Sequence, residues 1–423
     1  MSNLSLLNTT NYISVPYVKV QIGEYTFGVY QRTTAKDKDI NGFYETTKTI
    51  YPNYIQSLNV KKINGKVNTY TLKINYPITQ NDDPNFFEKV FSSVNKTRKI
   101  VFSYGDMALP TFIYKNEEAL ITKVQKSINF QSNVIGYTVS ATSSATLGLS
   151  GSYTFVNQQM KKPSEEIKRI LFTKKYGLQE IFTGMTNKAL VNQLGLIASD
   201  DKLINLETKT NINILDYLTY LVSCMQPAST VKDSVKQNSI YTLVIYDGSN
   251  NDNNNQISGT YFKVIKTSKV KNQSDAYEID IGYPTSNIVT NFNITDNEAY
   301  SIYYDYQDKI NNNDYYVTRI NNKGEEELIY APNISSNNDL YYTRVNDKTW
   351  WTKITEYPIS ASITLKGLLR PAILMTYVRL NIYFHGKKYV DSGLYIVTSQ
   401  EDSIDTNGYF TTLSLTRISG DDE

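Results

Sequence analysis

Apolar and polar positions alternate with a period of two through the first third of the chain, and that period belongs to half-buried β-strands. Tyr17–Tyr30 (YVKVQIGEYTFGVY) holds two alternating runs around Gly23-Glu24, which predicts a hairpin. A second hairpin is predicted in SLNVKKINGKVNTYTLKINYPI, where Asn64-Gly65 supplies the turn and Val60, Ile63, Val67, Tyr70, Leu72 and Ile74 the apolar positions. Then the period changes for one short helix. Asp83 can cap it, Pro84 suits its first turn, and Phe86, Phe87, Val90, Phe91 and Val94 share one face. The runs KIVFSYG, ALITKVQKSINFQ and VIGYTVSATS restore strand alternation, so residues 1–157 read as a mostly antiparallel sheet with one helix.

Residues 158–227 carry the helical period of 3.6. Pro163 opens KKPSEEIKRILFTKKYG, Ile167, Ile170 and Leu171 form its stripe, Lys174 and Lys175 close it, and Gly177 stops it. A second helix is predicted over Asn187–Leu196. A third, NILDYLTYLVSCMQP, presents Leu215, Leu218, Leu221, Val222 and Met225 and ends before Pro227. Strand patterns return over 228–345 in IYTLVIYDG, GTYFKVIKTSKV, AYEIDIGYP, EAYSIYYDY, YYVTRI and ELIYAP. Ser249–Gln256 and Ile310–Asp314 are Asn-rich and are expected to be loops. Residues 346–423 are β again and end in Asp421, Asp422 and Glu423.

The last segment echoes the first. TYTLKINYPI is answered by ASITLKGLLRP, KIVFSYGDM by LNIYFHGKK, and Gly136-Tyr137 by Gly408-Tyr409 at the start of an alternating strand. Ser127-Ile128 is answered by Ser403-Ile404, with a gap of about four residues needed to align them. The expected class is therefore α+β, mainly β. Two related antiparallel β-barrels, 1–157 and 346–423, are separated by a helical segment, 158–227, and a β-rich middle domain, 228–345. One subunit with two equivalent barrels can place six around an axis from three copies.

Composition narrows the chemistry. With 423 residues, the chain has length for about three domains. One Cys (Cys224) and one His (His385) exclude an intrachain disulfide, a multi-Cys or multi-His metal site and any two-His mechanism. Cys224 lies beside the apolar stripe of the third predicted helix and reads as a buried inert thiol. His385 precedes Gly386 at a strand end and reads as a turn residue, and no G-x-S-x-G elbow or phosphate loop is present. Acidic pairs at Asp82-Asp83, Glu117-Glu118, Glu165-Glu166 and Asp200-Asp201 read as caps and solvated turns, since adjacent strand residues face opposite ways. No metal, cofactor or catalytic residue is expected.

The net charge of +2, from 43 basic and 41 acidic residues, argues against a protein that wraps nucleic acid. The 36 Tyr, alongside abundant Asn, Lys and Ile, read mostly as codon bias, with a minority at subunit contacts. Trp350-Trp351 is the one aromatic doublet. On a strand one ring faces the core and the other faces out, so the pair is a candidate interface. The N-terminus has no basic region followed by an apolar core, which predicts no signal peptide and synthesis in a reducing cytosol.

With these strings in view, the chain resembles the baseplate hub proteins of long-tailed bacteriophages. The resemblance is carried by Trp350–Arg417 in the order GLLRP, MTYV, GLYIV, GYFTTLSLTR, and by DAYEIDIGYP (Asp275–Pro284) and KKPSEEIKRIL (Lys161–Leu171). It implies tail-tube-like barrel domains in a homotrimer, set between the hexameric tail tube and a trimeric central spike or tip protein. The implied partners are a tail tube or distal tube protein, the spike, the tape-measure protein, and double-stranded DNA in transit through the lumen. The implied place is the virion tail baseplate, assembled in the host bacterial cytoplasm, with no enzymatic activity. A tail-associated hydrolase of cell-wall glycan and a host-receptor-binding tail protein are the alternative readings.

Overall fold

The first strands are held by tight turns that glycine makes possible. β1 (Pro16–Ile22) and β2 (Tyr25–Gly28) are joined by Gly23-Glu24, with Gly23 at φ +60° and Ile22 facing Tyr25. The computed structural model describes residues 16–28, 50–51, 54–94, 98–106, 113–157, 160–182, 206–225, 240–252, 255–267, 276–282, 289–296, 316–320, 326–330, 359–366 and 374–420. Among these, the two-residue β3 (Ile50–Tyr51) pairs parallel to β2. β4 (Ile55–Ile63) and β5 (Thr69–Pro77) form the hairpin expected around Asn64-Gly65, with Gly65 at φ +69°. β6 (Lys99–Asp106), β7 (Tyr114–Asn129) and β8 (Val134–Ser143) complete the first set. All its neighbouring strands except β3 pair antiparallel, in the order β4-β5-β8-β7-β6-β1-β2-β3.

Helix α1 (Phe86–Ser93) covers this sheet. Its N-cap is Asn85 rather than Asp83; the Asp83 carboxylate instead accepts the Asn85 N–H at 2.9 Å and pairs with Lys89 at 2.6 Å. Phe87 and Val90 are fully buried against Val20, Phe27, Leu72, Ile74 and Tyr137. The Phe87 ring lies 5.2–5.7 Å from the rings of Phe27, Tyr54, Tyr76 and Tyr137.

The helical segment has its own core. α2 (Thr146–Leu149) and β9 (Ser152–Phe155) lead into α3 (Pro163–Phe172), whose Ile167, Ile170 and Leu171 are buried as the stripe predicted. The turn after α3 ends at Gly177 in the left-handed conformation, φ +62°, before α4 (Leu178–Ile181). β10 (Lys209–Asn213) pairs with β9, and Asn213 caps α5 (Ile214–Cys224), its side chain accepting the Asp216 N–H at 2.7 Å. Cys224 is buried within this core, as its position beside the stripe implied. The helix expected at Asn187–Leu196 lies outside the described residues.

Beyond α5, β11 (Ile240–Asp252) and β12 (Asn255–Thr267) form a long hairpin. The Asn-rich stretch at Ser249–Gln256 was expected to be a loop. Instead Ser249–Asp252 pairs with Asn255–Ser258, because a hairpin can continue through polar residues where neither face needs to be apolar. β13 (Tyr277–Ile281), β14 (Val289–Asp296), β15 (Tyr316–Ile320) and β16 (Glu326–Tyr330) follow; among the described residues β15 and β16 pair only with each other. The last strands are β17 (Ile359–Lys366), β18 (Tyr377–Phe384), β19 (Lys387–Lys388), β20 (Gly393–Asp405) and β21 (Gly408–Gly420). β13 and β14, which lie within 228–345, pair with β18 and β17 of the final segment.

The echo in the sequence is an echo in topology. In the first set the order is β4-β5-β8-β7-β6-β1; in the second it is β14-β17-β21-β20-β18-β13. Each strand also occupies the same place in chain order within its set. Even the register agrees: Lys73 faces Thr138 and Lys366 faces Phe410, two residues beyond Gly136 and Gly408 respectively. One pairing differs in sense, since β13 runs parallel to β18 while β1 runs antiparallel to β6. The Ser-Ile matches slide by two residues, because a four-residue loop joins β7 to β8 and a two-residue loop joins β20 to β21.

The expected closed barrels are not found among the described residues. Each set is an open, mostly antiparallel sheet, and the two are joined edge to edge where β4 pairs with β20. The apolar faces are instead closed by packing, the first set around Val18, Leu58 and Phe102 with α1, the second around Ile363, Leu380 and Leu413.

Candidate functional site

The junction between the two half-sheets is built from residues far apart in sequence. β4 and β20 pair antiparallel from Ser399↔Ile63 to Ile404↔Leu58, with Gln400 opposite Lys62 and Asp402 opposite Val60. On a strand, residues two apart share a face, so Gln400 and Asp402 point together, and the register places Lys62 beside them. The outward-facing pair Asn59 and Glu401 adds a 2.7 Å hydrogen bond across the same seam.

What gathers beneath the seam is polar and dry. Lys62 is 1% exposed and its ammonium lies 3.0 Å from Glu117 on β7, whose side chain is completely buried. Tyr70 on β5 and Tyr104 on β6 donate to the other Glu117 oxygen at 2.9 and 3.1 Å. The Lys62 ammonium also sits over the Tyr114 ring, 3.7 Å from its centroid. From the second half-sheet, Gln400 donates to the Tyr114 hydroxyl at 2.7 Å and to Asp402 at 2.8 Å. Tyr409 and Thr411 on β21 donate to the remaining Asp402 oxygen at 2.9 and 2.7 Å. Six strands, β4, β5, β6, β7, β20 and β21, thus meet in one network across the join, and every charge in it has partners, as a buried polar cluster requires.

Burial shapes the titration of these groups. Desolvation lifts the Asp402 carboxyl above the usual carboxylate range, against the pull of the Lys62 charge and the hydrogen bonds from Thr411, Tyr409 and Gln400. Desolvation, then the nearby carboxylates, push the Tyr104 and Tyr409 hydroxyls well above the ordinary phenol value, and burial with Asp402 does the same to Tyr114. All three tyrosines therefore act as neutral hydrogen-bonding groups at any physiological pH. Glu117 and Asp402 are each at most 1% exposed, so no glycan can reach either carboxylate. The arrangement can hold two sheets in one relative position; it cannot do chemistry on a substrate.

No protein-family profile matches the sequence, and no curated protein matches it. Solved structures similar to this chain include the tail protein from Neisseria meningitidis MC58, 10% identical over 95% of this chain and 96% of that one, with a TM-score of 0.49. A 43 kDa tail protein of prophage MuSo2 from Shewanella oneidensis is also 10% identical, over 95% and 97%, with a TM-score of 0.46. The E. coli c3393 protein is 10% identical over 86% and 74%, with a TM-score of 0.45. It is described as a type VI secretion component structurally similar to the T4 tail proteins gp27 and gp5. The structural neighbours are tail and tail-related proteins. At these identities and TM-scores no residue role transfers, and residue roles come from this chain's own geometry.

The residues singled out from sequence fall in different places. Trp350 and Trp351 lie outside the described residues, as do Ile310–Asp314. His385 is an exposed turn residue at φ +49°, followed by Gly386 at φ +77°, in the two-residue loop that joins β18 to β19. Of the acidic pairs, two members depart from the solvated reading: Glu166, 2% exposed in the first turn of α3, pairs with Arg169 at 2.5 Å, and Glu117 is the anion at the centre of the first half-sheet's polar cluster. The available signal was its alternation, since Glu117 shares a face with Ala119 and Ile121. Among the described residues no cluster of three or more His, Cys, Asp or Glu could hold a metal ion.

Proposed function

We propose that this chain is a structural protein of a phage-type tail, a homotrimeric baseplate hub between a hexameric tail tube and a trimeric spike or tip. The observation that carries this reading is the repeated six-strand order with its shared register. Two equivalent units per subunit let three subunits present six, which matches a sixfold partner on one side and a threefold partner on the other. The buried network at the join serves this role by fixing the angle between the two units, the quantity on which closure of a ring depends. The partners are then the tube or distal tube protein, the central spike, the tape-measure protein, and double-stranded DNA passing through the lumen. A net charge near zero suits a sleeve past which DNA must slide. The site of action is the virion tail baseplate, after assembly in the host cytoplasm. In this reading each half-sheet is the tube-like unit, and Trp350 and Trp351 contribute to a subunit contact.

Native mass spectrometry with negative-stain imaging of the purified protein tests the proposal. A ring of three subunits with six peripheral densities is expected. A particle that stays monomeric at high concentration, and is absent from the tail tip of virions, would sink it. The hub body is proposed to carry no lytic activity. Clearing of host peptidoglycan in a zymogram, abolished by a single Glu→Gln change, would overturn that part.

A further inference from the structure

The two half-sheets match strand for strand, yet among the described residues one junction is made and its counterpart is not. In the second half-sheet, β20 gives up β18 after Ile396 and from Ser399 onward its outer edge is taken by β4. In the first half-sheet, the matching strand β7 gives up β6 after Leu120. From residue 122 to 129 it then pairs with β8 on one side and, among the described residues, with no strand on the other. All eight of these residues are exposed, including Val124 and Ile128. The strand that corresponds to β4 is β14. It pairs with β17 as β4 pairs with β5, and each pairing carries a register irregularity at the same end of the strand. Among the described residues β14 also has no partner on its outer edge; it is the end of the strand path.

We propose that the β7 edge at 122–129 takes β14 of a second copy of this chain, in the antiparallel register by which β20 takes β4 within one copy. The register transfers residue by residue. Asp402 opposite Val60 becomes Val124 opposite Phe292, and Gln400 opposite Lys62 becomes Ile121 opposite Ile294. The polar members of the internal junction, Asp402, Gln400 and Lys62, are thus replaced by Val124, Ile121 and Ile294. That substitution fits an interface assembled from separate folded chains, where burying charge without a prebuilt network is costly. It also accounts for Val124 standing 40% exposed on a mostly polar edge. Lys123 and Lys126 on the same edge oppose unselective strand pairing before assembly. The β7–β14 seam rests on the self-assembly reading above and gives that reading a contact: internal and intermolecular seams alternate around the ring.

Cysteine cross-linking tests the seam. Opposite residues of an antiparallel pair have Cα atoms about 4.5–5.5 Å apart, within disulfide reach. The natural chain carries only the buried Cys224, so it supplies an uncross-linked control. Full-length Val124→Cys and Phe292→Cys variants, mixed and oxidised, are expected to give a covalent dimer that neither gives alone. The double variant is expected to give covalent trimers under the same conditions. Covalent chains longer than three would support the strand pairing and overturn the trimer. A trimer by native mass spectrometry with no 124–292 cross-link would overturn the pairing and leave the trimer standing. A strict monomer would overturn both. As a second arm, Val124→Lys changes an exposed position, so the melting temperature of the isolated subunit should not move. Self-association should weaken by at least about tenfold; association unchanged by this variant would count against the seam.

Discussion

Replacing Lys62 by Met tests whether the buried network holds the two half-sheets together. The substitution keeps most of the side-chain volume and removes the charge. Glu117 then keeps its hydrogen bonds from Tyr70 and Tyr104 at 2.9 and 3.1 Å but loses the ammonium at 3.0 Å, in a place with no access for water. Breaking a buried pair from one side costs about 3–5 kcal/mol, because the remaining charge is stranded. Asp402 loses the same positive charge and is pushed further toward its neutral form. A loss of this size is a large share of a typical stability of about 5–15 kcal/mol. Adding Glu117→Gln to Lys62→Met removes the stranded charge and keeps an acceptor for the two tyrosines. The double variant should therefore be more stable than the single one, with a coupling of about 0.5–3 kcal/mol. The assay is urea unfolding followed by intrinsic fluorescence, with the exposed neighbour Lys61→Met as control, expected within about 0.5 kcal/mol of the parent. If Lys62→Met behaves like Lys61→Met, or if the double variant is no better than the single, the network is not what fixes the join.

Other consequences can be measured on the same protein. Because the folded-state Asp402 carboxyl titrates above its ordinary value, the folded chain holds a proton that the unfolded chain has released across that window. Stability should decline as pH rises through it, and Asp402→Asn should flatten that decline in urea midpoints taken from about pH 4 to about pH 8. Gly282 sits at φ +77° with a would-be Cβ only 2.2 Å from the Tyr383 carbonyl oxygen. Gly282→Ala should cost more than the roughly 1–2 kcal/mol of left-handed strain alone, seen as a lower thermal midpoint and loosened β13–β18 amide protection. Asn213→Ala should remove the α5 cap and cost about 1 kcal/mol, read from the unfolding of the helical core; an unchanged midpoint would show the cap to be redundant.

Much of this fold is legible in the chain because local rules and burial agree. The alternation in VIGYTVSATS marks β8, and the stripe of Ile167, Ile170 and Leu171 marks the buried face of α3. The shared TLK and Gly-Tyr strings reported a true correspondence between β5 and β17 and between β8 and β21. The site was not legible for the opposite reason. Lys62, Glu117 and Asp402 are the residue types most at home in water, and only long-range pairing of β4 with β20 reveals that water is excluded from them. The tyrosines' roles are hidden in the same way. Their abundance reads mostly as codon bias, and composition alone does not show that Tyr70, Tyr104, Tyr114, Tyr137, Tyr217, Tyr395 and Tyr409 are among the largest fully buried side chains. Four of these donate or accept within the network at the join. A phenol offers core volume and one hydrogen bond together, a combination that period-two patterning records only as apolar.

The seam between β4 and β20 has a cost in time. Its two sides are complete only when residue 404 has joined residue 58, so most of the chain must be made between them. At about 5–20 residues per second, the ribosome takes tens of seconds to cross that span. Throughout it the first half-sheet can fold while β4 waits as an open edge, the kind of surface on which stray strands stack. Newly made chains should therefore be most prone to aggregate just before their last strands emerge, and nonsense mutations near the C-terminus should yield insoluble protein rather than a stable shortened one.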